Sequence, residues 1–376
     1  MEDNSDNDSD IEYDAYSSDE NDAIDGYRQI TKLWTRVQNA DEHEYPHEVR
    51  EFVEDMGPID PPDANSDPIE YFNMFAVPET GSSLTEILVQ ETNRYARQYF
   101  EKEGYASTPC SRSNEWKDTN LDEMSAFIGL YLAMGIVKKP SIESYWNTSD
   151  KTYLYNTHGF SSVMTRNRFQ LIMKFLHCNN NNTHIPRGQE GHDPCHKFRP
   201  VLDLFNQTFK MRYNAARDLT IDESMVGFKG RHDIVQYLPA KKAHRWGAKF
   251  FVLAESDTGY AISLKLYSGR QGNEDRSTNG LGYDVCMALI QPFLGKNHHL
   301  IVDNYYTSPT LCDALFDRGT YMTGTVRVYR RGMPSSFKGI RLKKGEMEIR
   351  QSGSTMALAY GDRKTVTFLS TMASPR

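Results

Sequence analysis

The spacing of apolar residues changes near Asp218, and this change constrains the fold more than any other feature of the sequence. Between residues 71 and 217, apolar side chains such as Leu84, Leu88 and Tyr95 recur every three or four residues, which predicts amphipathic helices. After Asp218, short apolar runs are separated by turn residues, which predicts strands. The sequence therefore predicts a mainly helical region followed by a layered sheet of α+β or α/β type.

Cap signals mark the helices of the first region. Ser83 and Glu86 have the spacing of a capping box, and Asn120 and Thr165 stand at the start of two further apolar periods. Pro200 favours the first turn of a fourth helix. Four successive helices are therefore predicted before residue 217.

The second region is predicted to alternate strands with helices. The expected strands are residues 219–222, 250–254, 261–267, 299–302 and 321–328, with helices over residues 283–293 and 308–318. A helix between two strands makes a parallel crossover the simplest connection, so the later strands are expected to be parallel. Residues 333–369 are predicted to add short strands.

Acidic and basic residues are segregated along the chain. Residues 1–70 contain 22 acidic and 4 basic residues, a formal charge of −18, whereas the other 306 residues contain 29 acidic and 39 basic residues, a charge of +10. The first 26 residues hold 11 acids and no Lys or Arg, which predicts an acidic disordered tail over residues 1–67. Such a tail either solvates the chain or competes with nucleic acid for the basic body.

Several classes of protein are disfavoured. The sequence has no run of roughly 18 apolar residues and begins with acidic residues, so neither membrane anchoring nor a signal peptide is expected. Its five cysteines are scattered without a CxxC pair, which argues against a disulfide framework or a Cys-rich zinc module. His192, Cys195 and His196 lie close together in a loop, but three such residues seldom make a zinc site. No small-molecule cofactor is expected.

Basic residues concentrate in two segments of the body. Residues 229–249 hold six bases against the single acid Asp233, and residues 319–344 hold seven bases and no acid. Trp246, Tyr329 and Phe337 are interleaved with them. This pattern is typical of a surface that contacts a phosphate backbone, although such clusters are also common on solvated faces and a single aromatic is more often a core residue.

Two aspartates stand at the predicted ends of strands. Asp222 follows the first strand of the second region, and Asp303 follows the strand at residues 299–302. If these strands are neighbours, the two carboxylates converge at one edge of the sheet, where a hard divalent ion such as Mg²⁺ would neutralise them. The alternative is that each aspartate only begins a turn.

The segments around these aspartates resemble piggyBac-type transposases and their host-domesticated relatives. Residues 222–231 (DESMVGFKGR) with 237–242 (YLPAKK) are similar to the first catalytic block of that family, and residues 303–309 (DNYYTSP) with 324–327 (GTVR) to the second. Segments 91–96, 129–136 and 168–176 resemble its helical region. The resemblance covers residues 68 to about 370.

The resemblance implies an RNase H-like catalytic sheet with a DDD triad, two magnesium ions, and excision and rejoining of DNA at TTAA-flanked ends. Asp222 and Asp303 correspond to the first two metal ligands. Charge then predicts which basic residues line double-stranded DNA: Lys229, Arg231, Lys241, Lys242, Arg245, Arg327, Arg330 and Arg331. A DNA partner implies a nuclear location, and a homodimer is left open.

The sequence also departs from the family pattern. The third aspartate of the family lies on a helix beyond the segment 366–370, and Asp317, Glu346 and Asp362 do not match its context. We therefore expect residues 218–376 to form a DDE/DDD-type transposase domain that lacks its third acid and is catalytically impaired, after a helical DNA-binding or dimerisation domain at 68–217. The alternative is a domesticated, non-catalytic DNA-binding or regulatory protein, so enzyme status stays open.

Overall fold

The computed structural model describes residues 32–38, 48–102, 111–148, 156–239, 245–269 and 277–372. The chain divides into two compact units, with boundaries between Met56 and Gly57 and between Asn214 and Ala215. The predicted acidic tail up to residue 31 lies outside the described residues, as do Lys241 and Lys242. The predicted domain limits at 67/68 and 217/218 fall within eleven and three residues of these boundaries.

The first unit, residues 57–214, is helical. Its helices are α1 (Pro68–Ala76), α2 (Leu84–Glu101), α3 (Leu121–Ile136), α4 (His158–Val163), α5 (Arg166–Phe175) and α6 (Arg199–Met211). The short strands β2 (Gly57–Pro58) and β3 (Tyr213–Asn214) pair at its ends. Ser83, Asn120 and Thr165 each accept a backbone N–H bond as N-caps, as predicted, and Ser83 forms the complete capping box with Glu86. The described helices include none with the length and apolar run needed to cross a bilayer.

An ion pair joins two of these helices. Glu123 in the first turn of α3 accepts two bonds of 2.6 Å from Arg168 in α5. The Arg168 guanidinium also lies 4.8 Å from the ring centroid of Trp116, and Thr119 Oγ1 donates to Glu123 at 2.8 Å. The hydrogen bond from Arg168 holds the pKa of Glu123 below its usual value, more than partial burial raises it.

The second unit is built on one mixed sheet. Its described strands are β1 (Thr35–Arg36), β4 (Asp218–Gly227), β5 (Val235–Tyr237), β6 (Trp246–Glu255), β7 (Ala261–Leu266), β8 (His299–Val302), β9 (Tyr321–Thr325), β10 (Met347–Ser352), β11 (Thr355–Gly361) and β12 (Thr365–Ser370). The strand order is β1-β10-β11-β12-β9-β8-β4-β6-β5, and β7 also pairs with β6. Helices α7 (Leu281–Ile290) and α8 (Pro309–Phe316) pack their apolar residues against one face.

The centre of the sheet is parallel and its flanks are antiparallel. β8 runs parallel to both β4 and β9, as predicted for strands joined by crossover helices. The residues predicted as short late strands form the antiparallel run β10-β11-β12, which joins β9 through Leu369 and Gly324. A helical region followed by a mixed sheet is therefore confirmed.

The structure differs from the predicted strand limits around Asp222. The sequence predicts a strand that ends at Asp222, but β4 continues to Gly227. The reason is β6, which begins at Trp246 rather than at Phe250 and pairs with β4 along its whole length. Asp222 thus lies within a strand, at the point where pairing with β8 stops.

Part of the predicted tail contacts the sheet. Thr35 and Arg36 pair with Gln351 and Arg350 of β10, and Trp34 Nε1 donates to the carbonyl of Gly332 at 2.8 Å. The half-buried ring of Trp34 and the two paired strand positions help to offset the entropy cost of ordering this segment. Residues 32–38 therefore belong to the sheet unit.

Candidate functional site

Asp222 and Asp303 are side by side in the structure. Ile221 of β4 pairs with Val302, the last residue of β8, in parallel register, so Asp222 in β4 and Asp303 directly after β8 are the next residues along the two chain segments. Neighbouring strands lie about 4.8 Å apart, and paired residues point to the same face. Both aspartates are exposed. The two aspartates therefore occupy neighbouring, exposed backbone positions at the carboxyl edge of β8.

A tight turn holds Asp303 in place. Its Oδ1 accepts the backbone N–H of Tyr305 at 2.9 Å, and its carbonyl accepts the hydroxyl of Thr307 at 2.7 Å. Ser308 then caps α8. Asp303 therefore begins a turn, which was one of the two hypotheses for it. The other hypothesis, a metal site, requires that β4 and β8 be neighbours, and they are.

Two glycines allow the backbone to close around this turn. A Cβ at Gly282, in the first turn of α7, would lie 3.0 Å from the carbonyl oxygen of Tyr305 and 3.3 Å from Tyr306 Cα. A Cβ at Gly324 of β9 would collide with the carbonyl of Val302 and the hydroxyl of Thr307. The contacts at these positions are with backbone or with short side chains, so there is little freedom to relax.

Two of the arginines predicted to contact DNA, Arg327 and Arg330, contact this turn. Arg330 donates from Nη2 to the carbonyl oxygens of Asn304 at 2.6 Å and of Tyr305 at 2.9 Å. Arg327 donates from Nε to Asn304 Oδ1 at 3.4 Å. Arg330 therefore fixes the backbone of the two residues that follow Asp303.

A buried charged cluster lies beneath the site. Glu223 follows Asp222 but points to the opposite face of β4, where its Oε1 lies 3.3 Å from Lys249 Nζ. Lys249 is only 6% exposed and also lies over the rings of Phe251 and Tyr305, at 4.9 and 5.6 Å. Burial raises the pKa of Glu223, while the charge of Lys249 and the hydroxyl of Tyr306 oppose the rise. The sequence placed Lys249 in a basic surface segment; the structure places it inside.

Of the other basic residues predicted to contact DNA, four are exposed and two lie outside the described residues. Lys229, Arg231, Arg245 and Arg331 are exposed. Lys241 and Lys242 lie outside the described residues. The exposed members are thus available to a solvent-side partner, and they lie on the segments that flank the two aspartates in sequence.

The carboxylate pair suits a hard cation. Carboxylate oxygens are the ligands that Mg²⁺ prefers, and this ion is commonly held by one or two carboxylates while keeping several waters. Across the described ranges, no group of three or more His, Cys, Asp or Glu side chains converges. Asp222 and Asp303 therefore fit one ion, and the described residues do not supply a third carboxylate for a second one.

The His192, Cys195 and His196 cluster is not assembled as a metal site. His192 Nδ1 is 2.7 Å from the carbonyl oxygen of Ile185, and His196 Nε2 is 3.0 Å from that of Asn180. Burial raises the pKa of the Cys195 thiol to about 11, and the described residues hold no group of three or more metal-binding side chains.

Sequence reasoning missed the residues behind the site. Glu223 directly follows Asp222, and strand alternation alone would have assigned it to the opposite face. Lys249 precedes Phe250 and Phe251, so its place in an apolar run was the available signal. Gly282 carried no signal, because its role depends on a turn that is distant in sequence.

Known proteins are similar to this chain in sequence and in fold. A family model described as Transposase IS4, of the DDE type, matches residues 67–376. Human PiggyBac transposable element-derived protein 3 is 26% identical over 314 residues, which cover 81% of this chain and 48% of that protein. Human PiggyBac transposable element-derived protein 5 is 23% identical over 328 residues, covering 84% and 58%. The chain thus spans about half the length of the curated relatives it matches.

A solved structure matches as well. The cryo-EM structure of a piggyBac transposase synaptic complex with hairpin DNA aligns with a TM-score of 0.70 and 26% identity, over 85% of this chain and 63% of that one. The RNase H-like mixed sheet expected from the sequence is therefore confirmed. With the family model covering most of its length, this chain belongs to the piggyBac-type transposase family.

Proposed function

We propose that the sheet unit binds double-stranded DNA and a divalent cation, and that its reaction is metal-dependent cleavage and transfer of DNA strands at TTAA-flanked ends. One observation supports the proposal: the parallel register of β4 and β8 ends at Ile221↔Val302, directly before the exposed Asp222 and Asp303. The family relationship supports the type of chemistry. Work on chromosomal DNA would place the protein in the nucleus, which imaging of the tagged chain in cells tests.

The proposed roles follow from the positions of the side chains. Asp222 and Asp303 hold the cation through their oxygens, and a bound Mg²⁺ would stabilise charge on a transferring phosphoryl group and activate a water or hydroxyl nucleophile. Arg330 keeps the Asp303 turn rigid. The exposed Lys229, Arg231 and Arg331 attract the phosphate backbone.

A second candidate function is DNA binding without cleavage. The number of acidic residues at the site favours it. The described residues hold no group of three or more metal-binding side chains, whereas a site for two metal ions usually needs more than two carboxylates. In this case the protein is a regulatory or DNA-bridging factor, and the carboxylates keep a cation without turnover.

Three measurements on one set of proteins separate the candidates. The set is wild type, the Asp222→Ala/Asp303→Ala double variant, and an Asp362→Ala control that removes an exposed acid from the β11–β12 turn. Mn²⁺ binding is measured by electron paramagnetic resonance, and duplex binding by fluorescence anisotropy from 50 to 200 mM salt. Cleavage is followed on a labelled TTAA-flanked duplex with Mg²⁺ or Mn²⁺.

We expect the double variant to lose Mn²⁺ binding and the control to keep it. Cleavage that disappears only in the double variant supports the transposase chemistry. Salt-sensitive duplex binding without cleavage supports the second candidate. Mn²⁺ binding that survives in the double variant would overturn the proposed site. Light scattering on the same samples, with and without DNA, tests for the homodimer.

A further inference from the structure

Three aromatic side chains are exposed at the far end of β4 and its neighbours. Phe228 is 45% exposed, Tyr237 of β5 is 48% exposed and Trp246 of β6 is 52% exposed. The rings of Tyr237 and Trp246 pack against each other, with centroids 4.6 Å apart and planes tilted by 38°. Large apolar side chains grouped in water in this way commonly mark a binding surface.

This aromatic pair lies on the same face of the sheet as Asp222. β4 and β6 pair without interruption from Asp222↔Val252 to Gly227↔Gly247, and Tyr237 pairs directly with Trp246. Side chains alternate along a strand, so Trp246, six residues from Val252, shares the face of Val252 and hence of Asp222. Six residues of strand correspond to roughly 20 Å between the aromatic pair and the carboxylates.

The surroundings of the pair are positively charged. Lys229, Arg231 and Arg245 are exposed around it, and Asp233 is the single acid in the sequence from Phe228 to Gly247. A protein partner with an apolar surface would gain nothing from three nearby cations. Exposed aromatics between basic side chains are the arrangement by which proteins bind unpaired nucleic acid, since every base has a π face that can stack.

We propose that Tyr237 and Trp246 form a stacking site for an unpaired nucleobase of a DNA strand whose backbone runs across the sheet to Asp222 and Asp303. The inference rests on the proposed function, because it takes DNA as the ligand. With about 3.4 Å per nucleotide along a strand, the stacked base lies about six nucleotides from the phosphate at the carboxylates. The site therefore selects for DNA that is locally opened at that distance.

The test compares two labelled duplexes of equal length, one fully paired and one with a single unpaired 2-aminopurine about six nucleotides from its TTAA end. Affinity is measured by anisotropy, and stacking by quenching of the 2-aminopurine fluorescence. The proteins are the full chain, Trp246→Ala, Tyr237→Ala and Trp246→Phe. Tyr329→Ala is the matched control, since Tyr329 is 74% exposed in the other basic segment.

We expect wild type to prefer the unpaired duplex and to quench its fluorescence. Trp246→Ala should lose about 5-fold to 150-fold of affinity for that duplex, as expected for the loss of one stacked base, while binding the paired duplex within about twofold of wild type. Trp246→Phe and Tyr329→Ala should keep most of the preference. Phe retains a stacking face, so its result also reports on folding.

Three results would overturn the stacking site alone. The first is equal binding of paired and unpaired duplexes by wild type, and the second is a preference that Trp246→Ala and Tyr237→Ala leave intact. The third is a loss of the preference to the same degree in the Tyr329→Ala control. Failure of wild type to bind either duplex would instead refute the proposed function, and the stacking site with it.

Discussion

Glu223 Oε1 lies 3.3 Å from Lys249 Nζ beneath the sheet, one residue along β4 from the exposed carboxylate of Asp222. Their side chains are 9% and 7% exposed. The pair thus lies on the face of β4 opposite to Asp222, where most neighbouring side chains of the sheet unit are apolar. A buried pair of this kind adds little net stability by itself, but either partner left alone is costly.

Replacing Lys249 by Met should therefore lower the free energy of unfolding by about 3 to 5 kcal/mol, because it leaves the Glu223 carboxyl buried without its cation. Urea unfolding followed by circular dichroism measures the change. Lys229→Met, at an exposed position, is the matched control and should change stability by less than about 0.5 kcal/mol.

The double variant Glu223→Leu/Lys249→Met should recover most of the loss, since both desolvated charges are gone. A double variant as unstable as Lys249→Met would show that the cost comes from altered packing around Phe251 rather than from the unpaired carboxyl.

Arg330 and Arg331 should behave oppositely although they are neighbours. Arg330→Ala removes two hydrogen bonds to the carbonyls of the Asp303 turn, so we expect a loss of about 2 to 3 kcal/mol in unfolding free energy and weaker Mn²⁺ binding. Arg331→Ala, at an exposed position, should leave stability unchanged and lower duplex affinity together with its salt dependence. Equal effects on stability would contradict the positioning role of Arg330.

Two helical glycines provide a matched pair of substitutions. A Cβ at Gly129 of α3 meets nothing within 4 Å, so Gly129→Ala should stabilise the protein by about 0.5 to 1 kcal/mol through helix propensity. Gly282→Ala in α7 brings its Cβ to 3.0 Å from the Tyr305 carbonyl, and we expect it to destabilise by about 1 to 3 kcal/mol. Thermal unfolding of both variants checks the signs; a stabilised Gly282→Ala would mean that α7 is free to move away from the turn.

The Glu123–Arg168 pair predicts a pH dependence of the helical unit. The pKa of Glu123 is lowered in the folded state by its bonds to Arg168, so its stabilisation is present above the ordinary value of 4.5 and is lost as pH falls through the lowered pKa. Glu123→Gln should cost about 1 to 2 kcal/mol at pH 7, and this difference from wild type should shrink below pH 4.5.

Urea unfolding at several pH values measures the difference. Asp122→Asn, at the adjacent exposed position, controls for removing a charge near the N-terminus of α3. A cost for Glu123→Gln that stays constant down to pH 3 would rule out the ion pair as its source.

Much of the fold followed from local signals. The caps at Ser83, Asn120 and Thr165 are determined by residues three positions apart, and the strand at residues 299–302 was predicted with its observed limits. The predicted end of a strand was wrong where pairing with another strand determines it. β4 extends past Asp222 because β6 pairs with it, and the local sequence pattern did not identify that partner.

The candidate site was only partly predictable for the same reason. The sequence singled out Asp222 and Asp303 because each follows an apolar run. It assigned Arg330 and Lys249 to basic surface segments, since charge patterning does not distinguish a guanidinium bonded to carbonyls, or a buried ammonium, from a solvated one. Their roles depend on the Asp303 turn and on strand alternation, which only the tertiary structure provides.

Because the proposed cation site depends on the parallel register of Ile221 with Val302, it exists only in the folded state. The two aspartates are 81 residues apart in the sequence, so an unfolded chain offers only isolated carboxylates. Any ion that binds the pair must therefore raise the unfolding free energy by ligand linkage, about 2.7 kcal/mol at a concentration one hundred times Kd. The proposed cation site and conformational stability are thus coupled through one register, and a divalent ion bound there would favour the folded protein.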